Sequence, residues 1–209
     1  MIPQTTPPTT PPTTPPTTPQ EVRDFWFLPP ASEGYGKSRG EWFRKDARFD
    51  AAIAQRFGAA IAQALAGGLR EWDADSAVGT LARILLLDQF TRNAFRGTPA
   101  SFAGDALALA AALELEATGA DRRLTPMQRW FAYLPFEHAE DARMQEKSVT
   151  LLAELARENG SDFAGALDFA HRHRGVIARF GRFPHRNAIL GRASTADELV
   201  FLSQPGSRF

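Results

Sequence analysis

The sequence predicts an all-α fold, a single compact domain of about seven or eight helices behind an N-terminal Pro/Thr tail. Three observations carry this prediction. Apolar residues recur at spacings of three and four in one segment after another. Start signals such as Asp46, Thr125 and Thr195, and stop glycines such as Gly67, Gly119 and Gly181, bound those segments. No strand-like alternation competes with them, and short turns join them.

Residues 1–20 repeat Pro-Pro-Thr-Thr without a charge. Such a stretch has nothing to bury and is expected to be a disordered, partly polyproline II extension, either dispensable or a docking motif for a proline-binding module. It has no basic start or apolar stretch and so does not read as a signal peptide. The domain is expected to occupy residues 21–209.

Its elements follow in order. "EVRDFWF" (21–27) forms a short amphipathic helix stopped by Pro29 and Pro30, and a glycine-rich loop follows. Asp46 caps a helix carrying Phe49, Ile53, Phe57, Ile61 and Ala64 on one face. Val78, Leu81, Leu85 and Leu86 repeat that pattern, while Ile84 and Leu87 make the opposite face apolar too, so this helix belongs at the centre and leads into Asp88 and Gln89. Phe102, Ala106, Leu109 and Leu113 mark the next helix. Thr125 and Gln128 form a capping box with Pro126 at the first helical position, and Pro135 is expected to end or kink the helix they open. A long helix from about Glu140 to Arg157, another from Ser161 or Asp162 to Phe180, and a short one opened by Thr195 and Glu198 complete the chain.

Composition narrows the function. With 24 basic against 24 acidic residues, the chain offers no electrostatic case for nucleic acid or an anionic membrane, and neither is expected as a partner. The absence of cysteine excludes thiolate nucleophiles and thiolate metal sites, and fits a cytoplasmic protein. No apolar run approaches the roughly 20 residues needed to span a bilayer. No phosphate loop, dinucleotide fingerprint or nucleophile elbow is present, so no cofactor is expected. His138, Asp141 and His185 could be assembled around a metal, but no HExxH or ExxH pair exists and no metal is expected.

Two segments resemble each other. "QFTRNAFRG" (89–97) and "RFPHRNAILG" (182–191) share Phe, then Arg-Asn-Ala, then Gly, and each is read as following an apolar helix. They are either two equivalent helix corners or two halves of one pocket. From Phe169 to Ala196 there is no acidic residue, yet Arg172, Arg174, Arg179, Arg182, Arg186 and Arg192 all occur there. Guanidinium forks bind carboxylates and phosphates, so this segment calls for an anion. One internal source is "PFEHAEDARMQE", with Glu137, Glu140, Asp141 and Glu146; Glu137 and Asp141 would share a face if the segment is helical. Full pairing would make a fold-locking ion-pair network, whereas free arginines would make an anion pocket with groups ready for proton transfer. His173 falls near an apolar stripe and reads as a core histidine. His171 reads as solvated, and His185 as a ligand contact or general acid/base.

"DFWF" (24–27), "LLLDQFTRNAFRGT" (85–98), "QRWFAYLPFEHAED" (128–141) and "RHRGVIARFGRFPHRNAILGRAST" (172–195) together resemble the bacterial domain of unknown function 924 family. The resemblance covers everything after the tail. It implies a tetratricopeptide-like superhelical arrangement, although periodicity alone shows no such repeat. The family has no established activity, so the resemblance transfers no catalytic role. Its motif positions correspond here to Asp88, Gln89, Phe90, Arg92, Asn93 and Arg96 in the first segment. The second contributes Glu137, His138 and Asp141, and the third His173, Arg182, Phe183, His185, Arg186 and Asn187. Thr91 departs from a usual proline, Ala94 from a larger apolar residue, and Ala139 from a frequent serine.

Two functions follow as expectations. In the first, Arg92, Arg182 and Arg186 hold a small anionic metabolite, Asn93, Asn187, Asp88 and Gln89 help line its pocket, and Glu137, His138 or His185 handles protons. In the second, the chain is a helical adaptor for a peptide or protein, and the polar motifs only lock helix corners. The oligomeric state is not legible.

Overall fold

The computed structural model describes residues 16–207. Residues 1–15, most of the predicted tail, lie outside them. Among the described residues there are α-helices, 3-10 turns and one π-helical stretch, and no strand.

The first helix, α1 (Pro19–Phe27), starts two residues earlier than expected, inside the region assigned to the tail. Thr18 accepts from the Glu21 N–H while the Glu21 carboxylate accepts from the Thr18 N–H, a capping box with Pro19 at its first position. Next come α2 (Ala47–Leu65), capped by Asp46 as expected, and the single turn α3 (Glu71–Asp75), which had no sequence signal. The central element is one rod built from α4 (Ala77–Ile84), a π-helical stretch (Leu85–Phe90) and α5 (Thr91–Ala94). It touches α1, α2, α3, α6 (Asp105–Ala117) and α7 (Pro126–His138). Its side chains from Leu81 to Thr91 are all buried, which is why the sequence there is apolar on every face.

After the rod the chain stacks in sequence order, α6 on α7, α7 on α8 (Ala142–Asn159), and α8 on α9 (Ala164–Phe180). The short α10 (Ala196–Leu202) closes the domain beside the turn Pro184–Arg186. The capping boxes at Thr125 and Thr195 form as expected, and Gly181 ends α9 in the left-handed conformation that glycine adopts without strain. Pro135 does not end α7, which continues to His138. Gln145 of α8 reaches back and donates its amide to the Glu137 and Ala139 carbonyls at 2.6 and 2.8 Å, satisfying acceptors at that helix end.

One aromatic core holds the front half together. Trp26 meets Trp42, Phe90 and Phe131, and Phe57 packs on both Phe25 and Phe90. A small satellite of Val176, Ile177 and Phe183 seats the last segment. Among the described residues no helix is long and apolar enough to cross a membrane.

Candidate functional site

The rod delivers Asp88 and Arg92 one turn apart to its polar end. The π-helical stretch, a wider and rarer coil often found at functional sites, carries Asp88 and Gln89. Gly104 lies so close to this coil that a Cβ there would collide with the Leu87 carbonyl. That close approach brings Asp105, the first residue of α6, up to Arg92. From the other side, the C-terminal end of α7 supplies Glu137 and His138, α9 supplies His173, and the turn after α9 supplies His185 and Arg186.

Asp88 is fully buried. Its Oδ1 lies 2.8 Å from His138 Nδ1 and 3.0 Å from Arg92 Nη1, and its Oδ2 accepts from Gln89 Nε2 at 2.5 Å. Burial alone would raise its pKa, but the Arg92 and His138 contacts outweigh burial and hold the carboxyl ionised, below the usual range. An ionised carboxylate only accepts, so His138 presents Nδ1–H to it and keeps its lone pair on Nε2. Burial and then Arg92 depress the His138 pKa against the pull of Asp88, so the ring is neutral at neutral pH.

Glu137 has the opposite setting. It is buried, no cation stands beside it, and burial together with the Asp88 charge pushes its pKa up to about 8. His173 Nδ1 lies 2.9 Å from the Phe169 carbonyl and 3.2 Å from Glu137 Oε1. The carbonyl can only accept, so His173 carries its hydrogen on Nδ1, and burial and then His138 push its pKa down to about 3. The approach of His173 to Glu137 is therefore a close contact between two neutral groups at neutral pH. His185, on the far side of Phe183, is brought down to about 4 by burial, then by Arg186 and His138.

The two matched arginines converge, and on a residue the sequence reading did not single out. Arg92 Nη1 stands 3.0 Å from Asp105 Oδ1, and Arg186 Nη1 donates to Asp105 Oδ2 at 2.9 Å. Arg186 also donates to the His138 carbonyl at 3.0 Å and lies between the rings of Phe102 and Phe183, at 4.6 and 4.7 Å. The matched asparagines do not join them. Asn93 donates to Asp50, which Arg96 also grips with two nitrogens, and Asn187 donates to Ser194 and Glu198 while accepting from Arg192. Arg182 is away from the cluster, forked onto Glu198 at 2.7 and 2.8 Å, on the rim of a surface cleft of about 450 Å³.

Several sequence expectations need correction here. "QFTRNAFRG" does not follow a helix end; it lies in the continuing rod and the turn just after it, whereas its counterpart follows the true end of α9. The chain leaves the helix at Ala139 (φ −74°, ψ 133°), so Glu137 and Asp141 share no face: Glu137 turns inward and Asp141 caps α8. Five of the six arginines of the basic segment are paired by scattered carboxylates, Arg172 with Asp168, Arg174 with Glu146, Arg182 with Glu198, Arg186 with Asp105 and Arg192 with Glu140, while Arg179 lies over the Phe180 ring. Of the proposed acidic complement, Glu140 and Glu146 take arginines of this segment, while Asp141 stands 4.0 Å from its own neighbour Arg143. His173 is buried and His171 exposed, as read. Asp105, Asp50 and Gln145 were missed. The two aspartates sit in first helical turns, where an acid reads as a dipole partner. Gln145 left a trace, because with Ser148, Leu152 and Leu155 it keeps the spacing of a buried stripe.

The fold and the site thus define an all-helical domain whose inner helix ends enclose a buried, largely charge-balanced acid/base cluster. The chain belongs to a family of bacterial proteins of unknown function (DUF924), whose family model matches residues 22–206. A solved structure of a protein of unknown function from Agrobacterium tumefaciens is 38% identical, covers 88% of this chain and 96% of its own, and superposes with a TM-score of 0.75. No curated protein matches the chain.

Proposed function

We propose that this cluster binds a small molecule with an anionic group and moves a proton on it. The supporting observation is the division of labour between two neighbouring carboxyls. Asp88 is ionised and orients His138, while Glu137 keeps its proton to about pH 8. Environments that drive two acids apart in this way assign an acid and a base. His138 Nε2 is the base, Glu137 the acid, and Arg92 and Arg186 hold the anionic group. Asn93, Asn187 and Arg182 act at a distance by fixing the helix corners, and His185 completes the wall beside Phe183. The lack of cysteine and the zero net charge of the chain favour action in the cytoplasm on a soluble compound.

The test is a thermal-shift screen with carboxylated and phosphorylated metabolites. At least one compound should raise the melting temperature of the wild type and leave Arg92→Gln unmoved, because a ligand bound only to the folded form stabilises it. His138→Gln should still bind but should lose the proton uptake or release seen by calorimetry in buffers of different ionisation enthalpy. Curves unmoved by the whole panel would remove the reading.

A second reading, a helical adaptor for a peptide or protein, is favoured by one observation: the forks of Arg96, Arg182 and Arg192 are filled by Asp50, Glu198 and Glu140. It predicts a stoichiometric partner in pull-downs that Arg92→Gln and His138→Gln retain equally well.

A further inference from the structure

The two arginines assigned to a ligand's anionic group already hold a carboxylate of the chain itself. Asp105 bridges them with one oxygen each, 3.0 Å to Arg92 and 2.9 Å to Arg186. We propose that Asp105 is an internal stand-in for the ligand, closing the two-arginine seat until a carboxylate of a small organic acid displaces it. This deepens the proposed function, and rests on it for what happens after the acid is seated.

Four features point this way. The seat is built independently of Asp105: Arg186 is only 6% exposed, is clasped by Phe102 and Phe183, and is tied to the His138 carbonyl, while Arg92 is tied to the Asp88 carbonyl at 2.6 Å. The seat also has unspent donors, because Arg92 Nη2 and Arg186 Nε are buried without a hydrogen-bond partner. Asp105 is held loosely on one side: its side chain is 20% exposed, like the 19% of Arg92, and its buried Oδ1 faces Arg92 as a charge contact without an aligned hydrogen bond. Finally, the seat is next to the proposed base, since Arg92 and His138 share Asp88 Oδ1.

Exchange of one carboxylate for another conserves the charge balance of the cluster. A phosphate dianion would leave an extra negative charge close to Asp88, so the ligand class is a small carboxylic acid whose remaining part extends toward His138.

The experiment removes the stand-in. Asp105→Ala in the full chain is titrated with acetate, with inorganic phosphate and with chloride at matched ionic strength, by calorimetry and melting temperature. Acetate is expected to bind the variant at least ten-fold more tightly than it binds the wild type and to restore its melting temperature, with phosphate weaker and chloride without effect. Acetate affinity no higher than that of the wild type, or equal recovery with chloride, would overturn the proposal. If Asp105→Ala does not fold, Asp105→Asn is used with the arginine Nε–H resonances as the readout; acetate must move those of Arg92 and Arg186, and unmoved signals overturn it. Failure of the metabolite panel together with a tight acetate seat in Asp105→Ala would remove the proposed function and leave the seat standing. A panel hit without acetate binding in the variant would do the reverse.

Discussion

Arg92 and Arg186, equivalent members of two matched Arg-Asn-Ala motifs, grip opposite oxygens of the single carboxylate of Asp105. The asparagines that follow them, themselves buried, turn away from that centre to Asp50 and Glu198. Each motif thus splits its labour, the arginine reaching inward to a shared centre and the asparagine fixing the local corner.

Arg186→Ala should destabilise the protein by about 3 kcal/mol, because it strips Asp105 of its one aligned hydrogen bond and opens a gap between two phenyl rings. Arg186→Lys should recover only part of this, since an ammonium cannot serve Asp105 and the His138 carbonyl with a planar fork. Urea unfolding of the single variants and of Arg92→Gln/Arg186→Ala would check the shared centre. The double variant should lose less than the sum of the singles, by about 1 kcal/mol or more.

Stability should peak near pH 6.5. Glu137 is protonated to about pH 8 in the fold but titrates near 4.5 when unfolded, so its contribution is complete at low pH and is lost as pH rises through that window. His173 and His185 are neutral down to about 3 and 4 in the fold but take up protons near 6.5 when unfolded, so stability falls as pH drops below 6.5. Between 4.5 and 6.5 His173 and His185 outweigh the glutamate by one proton, and His138, whose pKa is also depressed, adds to the same side, giving a rise of roughly 1.4 kcal/mol per pH unit or more; above 6.5 the glutamate alone gives a decline of roughly 1.4 kcal/mol per pH unit. Denaturant midpoints of wild type and Glu137→Gln from pH 5 to 8 are the check: the glutamine variant should keep the acid limb and lose the alkaline one.

Gly104→Ala should destabilise by about 2 to 3 kcal/mol, because the added methyl must push the start of α6 away from the Leu87 carbonyl. Asp105 moves with it, so the variant should also weaken the Arg92 contact. Calorimetric melting reads the first effect and the arginine Nε–H resonances the second.

Gln145→Leu should cost about 2 kcal/mol, since it preserves bulk but strands the carbonyls at the end of α7. Hydrogen exchange at 137–140 should accelerate more than at the buried end of α8.

How far the fold was legible depends on where its signals lie. Helix bodies and caps such as Asp46, Thr125 and Thr195 are local, and all three form as read. Pro135 does not end α7, one of the two outcomes expected of it, because the loss of one N–H is tolerable in a helix packed against α8 and α9. The cluster was half legible: Asp88, Arg92, Glu137, His138, His185 and Arg186 do meet. Asp105 was hidden, because which carboxylate reaches an arginine many helices away is decided by packing, here by the absence of a side chain at Gly104. The widened coil was not legible: nothing in the local sequence marks it, and the Thr91 hydroxyl that donates to the Leu87 carbonyl at 2.8 Å makes a back-bond common in ordinary helices.

That widened coil also gives the rod a slack link. A π-helical turn closes its hydrogen bonds five residues apart where an α-helix closes them four apart, so Leu85–Phe90 takes up one residue more than an ordinary turn of the same sweep. Deleting one residue there would rewind the coil, leave its two ends in phase and remove the local bulge that carries Asp88 and Gln89. Deleting one from the regular half, Ala77–Ile84, has no such outlet: at about 100° per residue it would turn the apolar half and the polar end against each other. The coil is where the axle can change length without turning.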